Sequence, residues 1–255
     1  MRGRALEAGA GESAAEPTGP TEPAEAAVTV WERPARGARG PAPERSRAEV
    51  TAAAVALADE SGLAAVTMRR VAGRLGTGPA SLYRYVSSRD ELIDLMADAM
   101  TGEIDLTAPL GGDPVEDLLA LASQARALHL SHPWLLDVPP ERLRLGPRGL
   151  DYLERALTAM APAALPGHAR LETVALLSGL AKLFARTELQ AAQTSTERHA
   201  AQAGYLARAA AEGTRPLLAA ALAESAASGL PEDLQALFER TARRVLAGLL
   251  TGDQK

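Results

Sequence analysis

Residues 67–95 read TMRRVAGRLGTGPASLYRYVSSRDELIDL, and the pattern in this stretch decides the fold. Val66, Met68, Val71, Ala72 and Leu75 recur at helical spacing, and Thr67 stands where an N-cap belongs. Gly76-Thr77-Gly78 breaks that helix. Pro79 suits the first turn of a third helix, which runs through Leu82 and Val86. Ser87-Ser88 then reads as an N-cap pair, followed by Asp90 and Glu91 where acids favour a helix start. Leu92, Leu95, Met96 and Ala99 carry this fourth helix to about Leu106. Two short helices joined by a glycine-containing turn form the helix-turn-helix pattern, whose second helix enters the DNA major groove.

Charge sorts by position around the same stretch. Residues 62–89 hold five bases (Arg69, Arg70, Arg74, Arg84 and Arg89) and no acid. Residues 90–105 hold six acids and no base. The whole chain carries a net charge of -5, so it has no uniformly basic coat. An acidic protein thus carries one basic island, and the island coincides with the helix-turn-helix. Its arginines are placed to neutralise phosphates and release counterions. Gly78, Pro79, Ala80 and Ser81 are small enough to let the second helix approach base edges. Tyr83 and Tyr85 offer hydroxyls to phosphate, and Ser81 to phosphate or base.

Working outward, Val50, Ala53, Ala54, Leu57 and Ala58 form one face of a preceding helix that stops at Ser61-Gly62. Before it, 29 of residues 1–43 are Ala, Gly, Pro or Glu with no sustained period, a composition that predicts disorder. Within that segment, Trp31-Glu32-Arg33-Pro34 with Arg36 and Arg39 reads either as a solvated tail or as an arm that touches a partner. After the fourth helix, the run Ala108 to Pro114 marks a domain boundary. Helices are predicted near 115–131, 147–161, 168–193, 197–226 and 231–250, with prolines between them. Strand-like alternation is missing, so the fold class is all-α. The predicted division is a disordered extension at 1–43, a helix-turn-helix domain with its connecting helix at 44–105, and a helical domain at 106–255.

The stretch 67–95 resembles the DNA-binding signature of the TetR family of one-component transcriptional regulators. The core LGTGPASLYRYV, followed by a short turn, a basic residue and Glu-Leu, carries the resemblance. It extends back through ERSRAEVTAAAVALADESGLAAVTMRRVA to Glu44, and Trp31 to Pro34 is similar to a leader found in one branch. Over 106–255 the likeness is weaker. The resemblance implies an all-helical homodimer, with a three-helix reading head joined by a fourth helix to a ligand-binding and dimerisation domain. By position it puts Thr67 on a phosphate, and Thr77, Gly78, Pro79 and Ser81 at the groove. It puts Tyr83 and Tyr85 on backbone phosphates and Arg89 on DNA at the start of the fourth helix. Many relatives carry His at the place of Tyr85 and Lys at that of Arg89, and both substitutions keep a donor. Gly78 and Ala80 offer no side-chain bond to a base, which shifts weight to backbone and shape readout.

In the larger domain, residues 168–193 and 234–250 are apolar over more than one stripe, which suggests a surface shared with a second chain. Leu176, Leu180, Leu183, Leu246, Leu249 and Leu250 are the candidate interface residues. Ser178-Gly179 and Ala247-Gly248 allow close helix approach. In the family, two late helices of each subunit form a four-helix dimer bundle. Twofold symmetry suits a palindromic double-stranded operator with half-sites about 34 Å or a multiple apart. Candidate effector-lining residues are Leu128, Trp134, Leu135, Tyr152, Leu177, Phe184 and Thr187, with Trp134 foremost because His132-Pro133 interrupts a helix beside it. His129 and His132 have a spacing that binds metal, but no carboxylate completes the set except Asp137, so no metal and no cofactor is expected.

The absence of cysteine among the 255 residues excludes disulfides, thiolate metal sites and a cysteine nucleophile. No nucleophile elbow, Walker loop or dinucleotide fingerprint is present, so the chain is not expected to be an enzyme. No apolar run approaches the roughly 18 residues of a membrane span, and residues 1–17 lack a signal-peptide core. The expected setting is cytoplasmic. The sequence therefore points to a transcriptional regulator of the TetR type, and the expected function is repression relieved by a small molecule. Two other classes stay open at this point: a ligand-independent or co-repressor-dependent DNA-binding protein, and a helical protein–protein adaptor.

Overall fold

The structure, a computed structural model, describes residues 29–33, 45–139, 145–193, 195–229 and 233–251. The described residues form ten α-helices and two short 3-10 turns, with no strand. No helix among them is long and apolar enough to cross a membrane. Most of the predicted disordered extension lies outside the described residues.

Helix α1 (Arg47–Ser61) starts from a capping box in which Ser46 and Glu49 satisfy each other's backbone N–H groups, an arrangement that stabilises a helix start by about 1 kcal/mol. It ends at Gly62, whose φ of +77° suits glycine. After a 3-10 turn at Leu63–Ala65, Thr67 caps α2 (Met68–Arg74) by accepting from the Arg70 N–H. Gly76, at φ +67°, reverses the chain into α3 (Pro79–Leu82), which has Pro79 in its first turn. Val50, Val66, Val71, Leu82, Leu92 and Met96 are fully buried and lock the three helices onto α4 (Arg89–Thr101). Helix α4 stops short of the expected Leu106 because Gly102 closes it and the chain turns through Glu103 and Ile104.

The larger domain is built on α5 (Pro114–Ser131), α7 (Gly167–Gln193) and α10 (Leu234–Leu250), which pack on one another. Leu118, Ala122, Leu177, Ala181, Phe238, Ala242 and Leu246 form their common core, and the Phe184 and Phe238 rings meet edge to face at 5.4 Å. Helix α6 (Pro147–Ala159) lies between α4 and this core. The single helix expected over 197–226 is two. Gly213, at φ +74°, and Pro216 break it into α8 (Thr196–Ala211) and α9 (Pro216–Ala227). These two pack on each other, and α9 buries none of its residues; Leu217 is 85% exposed.

Candidate functional site

Helices α2 and α3 present an exposed surface made of Thr67, Arg69, Arg70, Gly78, Pro79, Ala80, Tyr83 and Arg84. Arg69 and Arg70 make no side-chain hydrogen bond among the described residues, so both charges stand in solvent. Arg74 is already used: it forms a two-pronged pair with Glu60 at 2.6 Å for each contact. The Thr67 side chain is also engaged, as the α2 cap, but its hydroxyl proton remains free to donate.

The turn between α2 and α3 is held by hydroxyls. Ser81 Oγ donates to the Gly78 carbonyl at 2.6 Å, which leaves Thr77 Oγ1 as donor to Ser81 Oγ at 2.7 Å. Both residues are half-buried, and with both protons spent inside the turn their oxygens are left as acceptors only. Lone pairs match the amino groups of adenine and cytosine in the major groove rather than a phosphate.

The two tyrosines diverge. Tyr83 is 56% exposed on the outer face of α3, whereas Tyr85 is 5% exposed and its hydroxyl is buried without a partner. The expectation that Tyr85 meets phosphate is therefore corrected, because its ring packs in the head core beneath Arg84, whose guanidinium lies 5.9 Å from the ring centre. Arg89 is also corrected. Its Nε donates to the Val66 carbonyl at 2.6 Å and its Nη2 to the Leu63 carbonyl at 2.8 Å. It ties the start of α4 to the 3-10 turn instead of reaching outward.

Residues 29–33, expected to be part of a disordered extension, pack on the chain's own head. Val30 is buried in the core, and Arg47 donates to the Val30 carbonyl at 2.9 Å and to the Tyr85 carbonyl at 3.3 Å. Arg33 bonds Ser87 and pairs with Glu91. Trp31 reaches the larger domain: a Cβ at Gly146 would collide with its ring and with the Asp98 carboxylate. Glycine at 146 lets this strap and α4 close on the start of α6. Asp98 in turn accepts from the Gly149 N–H at 3.0 Å, in the first turn of α6. Burial raises the Asp98 pKa against the lowering effect of that backbone bond.

A second junction sits on the other side of the head. Asp59 Oδ1 at the end of α1 accepts from Trp134 Nε1 at 2.7 Å and from His132 Nδ1 at 2.8 Å. His132 Nε2 faces Glu103 at 3.2 Å. Burial pulls the His132 pKa down, but the bonds and charges of Asp59 and Glu103 outweigh it and hold the pKa above its usual value. As an imidazolium it donates from both nitrogens. This geometry corrects the expected role of Trp134: its ring is buried, its N–H is spent on the head, and it joins two domains rather than lining an effector cavity.

Other expected effector residues also separate. Leu128, Leu135 and Leu177 are buried core, and Phe184 and Tyr152 pack against that core. Burial pushes the Tyr152 phenol up to about 12. Thr187 is exposed and its hydroxyl returns to the Leu183 carbonyl at 2.9 Å, which removes it from the interior. Two cavities flank α4 instead. One of about 210 Å³ is lined by Leu63, Arg89, Ile93 and Asp137, among others. The other, of about 290 Å³, lies between residues 101–107 and the start of α6 at Arg148 and Asp151. Sequence reasoning missed Asp59, Asp98 and Gly146; their roles appear only once the two domains are side by side.

The candidate dimer residues divide as well. On α7, Leu176 and Leu183 are 55% and 59% exposed, and Leu180 is half-buried. On α10, Leu249 and Leu250 are half-buried, but Leu246 is fully buried against the chain's own core, which corrects its assignment to an interface.

A helix-turn-helix head carrying an exposed basic face, fastened through α4 to an all-helical domain, defines a DNA-binding regulator of transcription. Comparison with known proteins gives the family. Residues 50–96 match the family of bacterial regulatory proteins called tetR, and residues 108–252 match the tetracyclin repressor-like C-terminal domain. The chain is 38% identical over 198 residues to the HTH-type transcriptional repressor DrrR1 of Streptomyces coeruleorubidus, covering 74% of this chain and 73% of that one. It is 30% identical to an HTH-type transcriptional regulator of Saccharopolyspora erythraea, covering 86% and 90%. Among solved structures it is similar to ActR of Streptomyces coelicolor, at 28% identity. The apo form superposes with a TM-score of 0.68 over 84% of this chain and 98% of that one. The complex of ActR with actinorhodin gives 0.69 over 83% and 99%. The chain belongs to the TetR family of transcriptional regulators.

Proposed function

We propose that this chain is a homodimeric repressor that binds a palindromic operator and leaves it when a small molecule occupies the C-terminal domain. The proposed division is a reading head at 44–105 and an effector and dimerisation domain at 106–255. The protein acts in the cytoplasm, where its DNA is, and catalyses no reaction. Arg69, Arg70, Tyr83 and Arg84 supply phosphate contacts, while Thr77, Gly78, Pro79 and Ser81 face the groove.

The observation that carries this reading is the double fastening of head to effector domain. Asp98 joins α4 to α6, and Asp59 joins α1 to His132 and Trp134. With both joints made, a shift of α6 or of the segment after α5 reorients the head rather than dissipating in a linker. Two heads bound to one operator tolerate only one spacing, so a ligand that prefers another spacing releases DNA. The relatives support the two ends of this scheme: DrrR1 is described as a repressor, and ActR has been crystallised with actinorhodin. The exposed Leu176 and Leu183 on α7, with Gly179 between them, support the dimer.

The test is a band-shift titration with DNA flanking the protein's own coding region, in excess random DNA and at two salt concentrations, followed by a ligand screen. A shift that survives competitor and is reversed by a ligand that raises the melting temperature is expected. A ligand that stabilises the protein while operator affinity stays unchanged would sink the effector-release half of the reading.

A further inference from the structure

Residues 29–33 lie outside both family-matched regions, 50–96 and 108–252, yet they are built into the molecule on two sides. The segment first closes on itself. The Thr29 carbonyl accepts from the Glu32 N–H at 3.2 Å, and the Glu32 carboxylate accepts from the Thr29 N–H and hydroxyl, each at 2.8 Å. Arg47, the first residue of α1, holds this turn from below. It donates to the Val30 carbonyl at 2.9 Å and the Arg33 carbonyl at 3.4 Å, and its Nε donates to the Tyr85 carbonyl just past α3 at 3.3 Å. The Val30 side chain is 2% exposed. Arg33 bonds Ser87 and pairs with Glu91 at the start of α4. One turn of chain is thus fixed to α1, to the end of α3 and to the start of α4.

The other side of the turn meets the larger domain. Helix α6 begins at Gly146, which has no side chain to cap it. Asp98 of α4 supplies the cap instead, accepting from the Gly149 N–H at 3.0 Å. A Cβ at Gly146 would lie 2.4 Å from the Asp98 carboxyl carbon and 2.5 Å from Cζ2 of Trp31. The indole and the carboxylate therefore press on the same point of the α6 backbone. An apolar ring beside a carboxylate–amide bond keeps water from competing for it and strengthens the bond. An arm that acted on DNA would hold its arginine and its ring outward. Here the Arg33 charge is met by Glu91 and the Trp31 ring lies against Gly146.

We propose that residues 29–33 are an intramolecular strap that fixes the reading head against α6, with Trp31 as its positioning residue, and that the leader acts on operator binding through this strap rather than by touching DNA. The consequence for binding rests on the two-headed operator reading above. A head held in place meets the operator already ordered, whereas a head free to swing gives up that freedom on binding. Loosened heads bind more weakly but keep their phosphate contacts, so the salt dependence of binding is unchanged.

The test uses the full chain as wild type, Trp31→Ala, Trp31→Phe and Arg33→Gln. Amide hydrogen exchange is read over residues 147–151, and band shifts are run at several salt concentrations on a duplex that the wild type selects from a random-sequence pool. In Trp31→Ala, exchange at the Gly149 amide is expected to rise about tenfold or more as the first turn of α6 opens. Operator affinity is expected to fall about fivefold or more, at the wild-type salt slope. Trp31→Phe keeps an aromatic cover and is expected to restore most of both. Arg33→Gln leaves Val30 and the core in place and is expected to move both quantities the same way by less, so it carries the test should Trp31→Ala fail to fold. Unchanged exchange or unchanged affinity in both Trp31→Ala and Arg33→Gln would overturn the proposal. So would a salt slope lowered by about one in either variant, the mark of a lost phosphate contact. A wild type that selects no duplex would fail the operator reading, while exchange over 147–151 would still decide the strap.

Discussion

In the reading head, the polar groups that shape the chain meet their partners within it. Ser46 meets Glu49, Thr67 the Arg70 N–H, Ser81 the Gly78 carbonyl, and Arg89 two carbonyls of the preceding turn. Its exposed face is basic and polar. The effector domain is arranged the other way. Single nitrogens of Arg126, His129 and Arg170 inside it are buried without a partner, and among the described residues leucines on α7 and most of α9 are exposed. The helix ends of the head are thus finished within the single chain, although the Tyr85 hydroxyl stays buried without a partner. The larger domain leaves more open, with apolar surface of α7 and α9 outside and unbonded nitrogens within.

That contrast breaks if the two regions melt separately. Val30, Trp31, Asp59 and Asp98 tie them together, so one cooperative transition is expected. Phe238→Ala empties a fully buried position at the centre of α5, α7 and α10. It should cost about 3–5 kcal/mol, and a denaturant melt followed by circular dichroism should show the head lost with the rest. A head that persists above the transition would show that the junctions do not couple. Next in size is the double substitution Leu176→Asp and Leu183→Asp. On exposed leucines it should leave the fold intact but yield monomers in sedimentation. Operator affinity should then fall by about a hundredfold or more as two linked contacts become one. Dimers that persist would move the interface elsewhere.

How far the sequence could be read follows the same divide. Caps and breakers act locally, so Thr67, Gly62, Gly76 and Ser88 were legible as helix ends, and the head emerged from them with its basic face. Where spacing had to stand for depth, it failed. Tyr83 and Tyr85 differ by two residues, about 200° around a helix, which puts one outside and the other inside. Leu246 lies one turn from Leu249 and Leu250, yet it alone is fully buried. Trp134 was legible as a special residue but not for its role, because its partner Asp59 is 75 residues away. The break in 197–226, where one helix was expected, falls at Gly213 and Pro216, two local breakers inside an alanine-rich stretch.

The Asp59 junction gives a smaller effect with a pH signature. His132 binds its proton more tightly folded than unfolded, because Asp59 and Glu103 face it. Its stabilising contribution is therefore fully present below the unfolded value of about 6.5 and is lost as pH rises through the higher folded value. His132→Asn should flatten this part of the stability profile, measured as the urea midpoint between pH 5 and 9. Asp59→Asn should lose about 1–3 kcal/mol and, more tellingly, weaken ligand-induced DNA release while ligand binding remains. Release that survives Asp59→Asn would leave Asp98 and α6 as the working joint.

The smallest effects test the tyrosines, and they sharpen the comparison most. Tyr85→Phe removes a buried hydroxyl that has no partner, so stability should hold or rise by up to about 1 kcal/mol, and operator affinity should stay the same. Tyr83→Phe removes an exposed hydroxyl, so stability should hold while operator affinity falls by about 0.5–1.5 kcal/mol, the worth of one hydrogen bond. Urea melts and salt-dependent band shifts on the two variants read both quantities. Were Tyr85→Phe the one that weakens DNA binding, the tyrosine would have to swing out of the core on the operator. The head would then be no more finished than the domain it is fastened to.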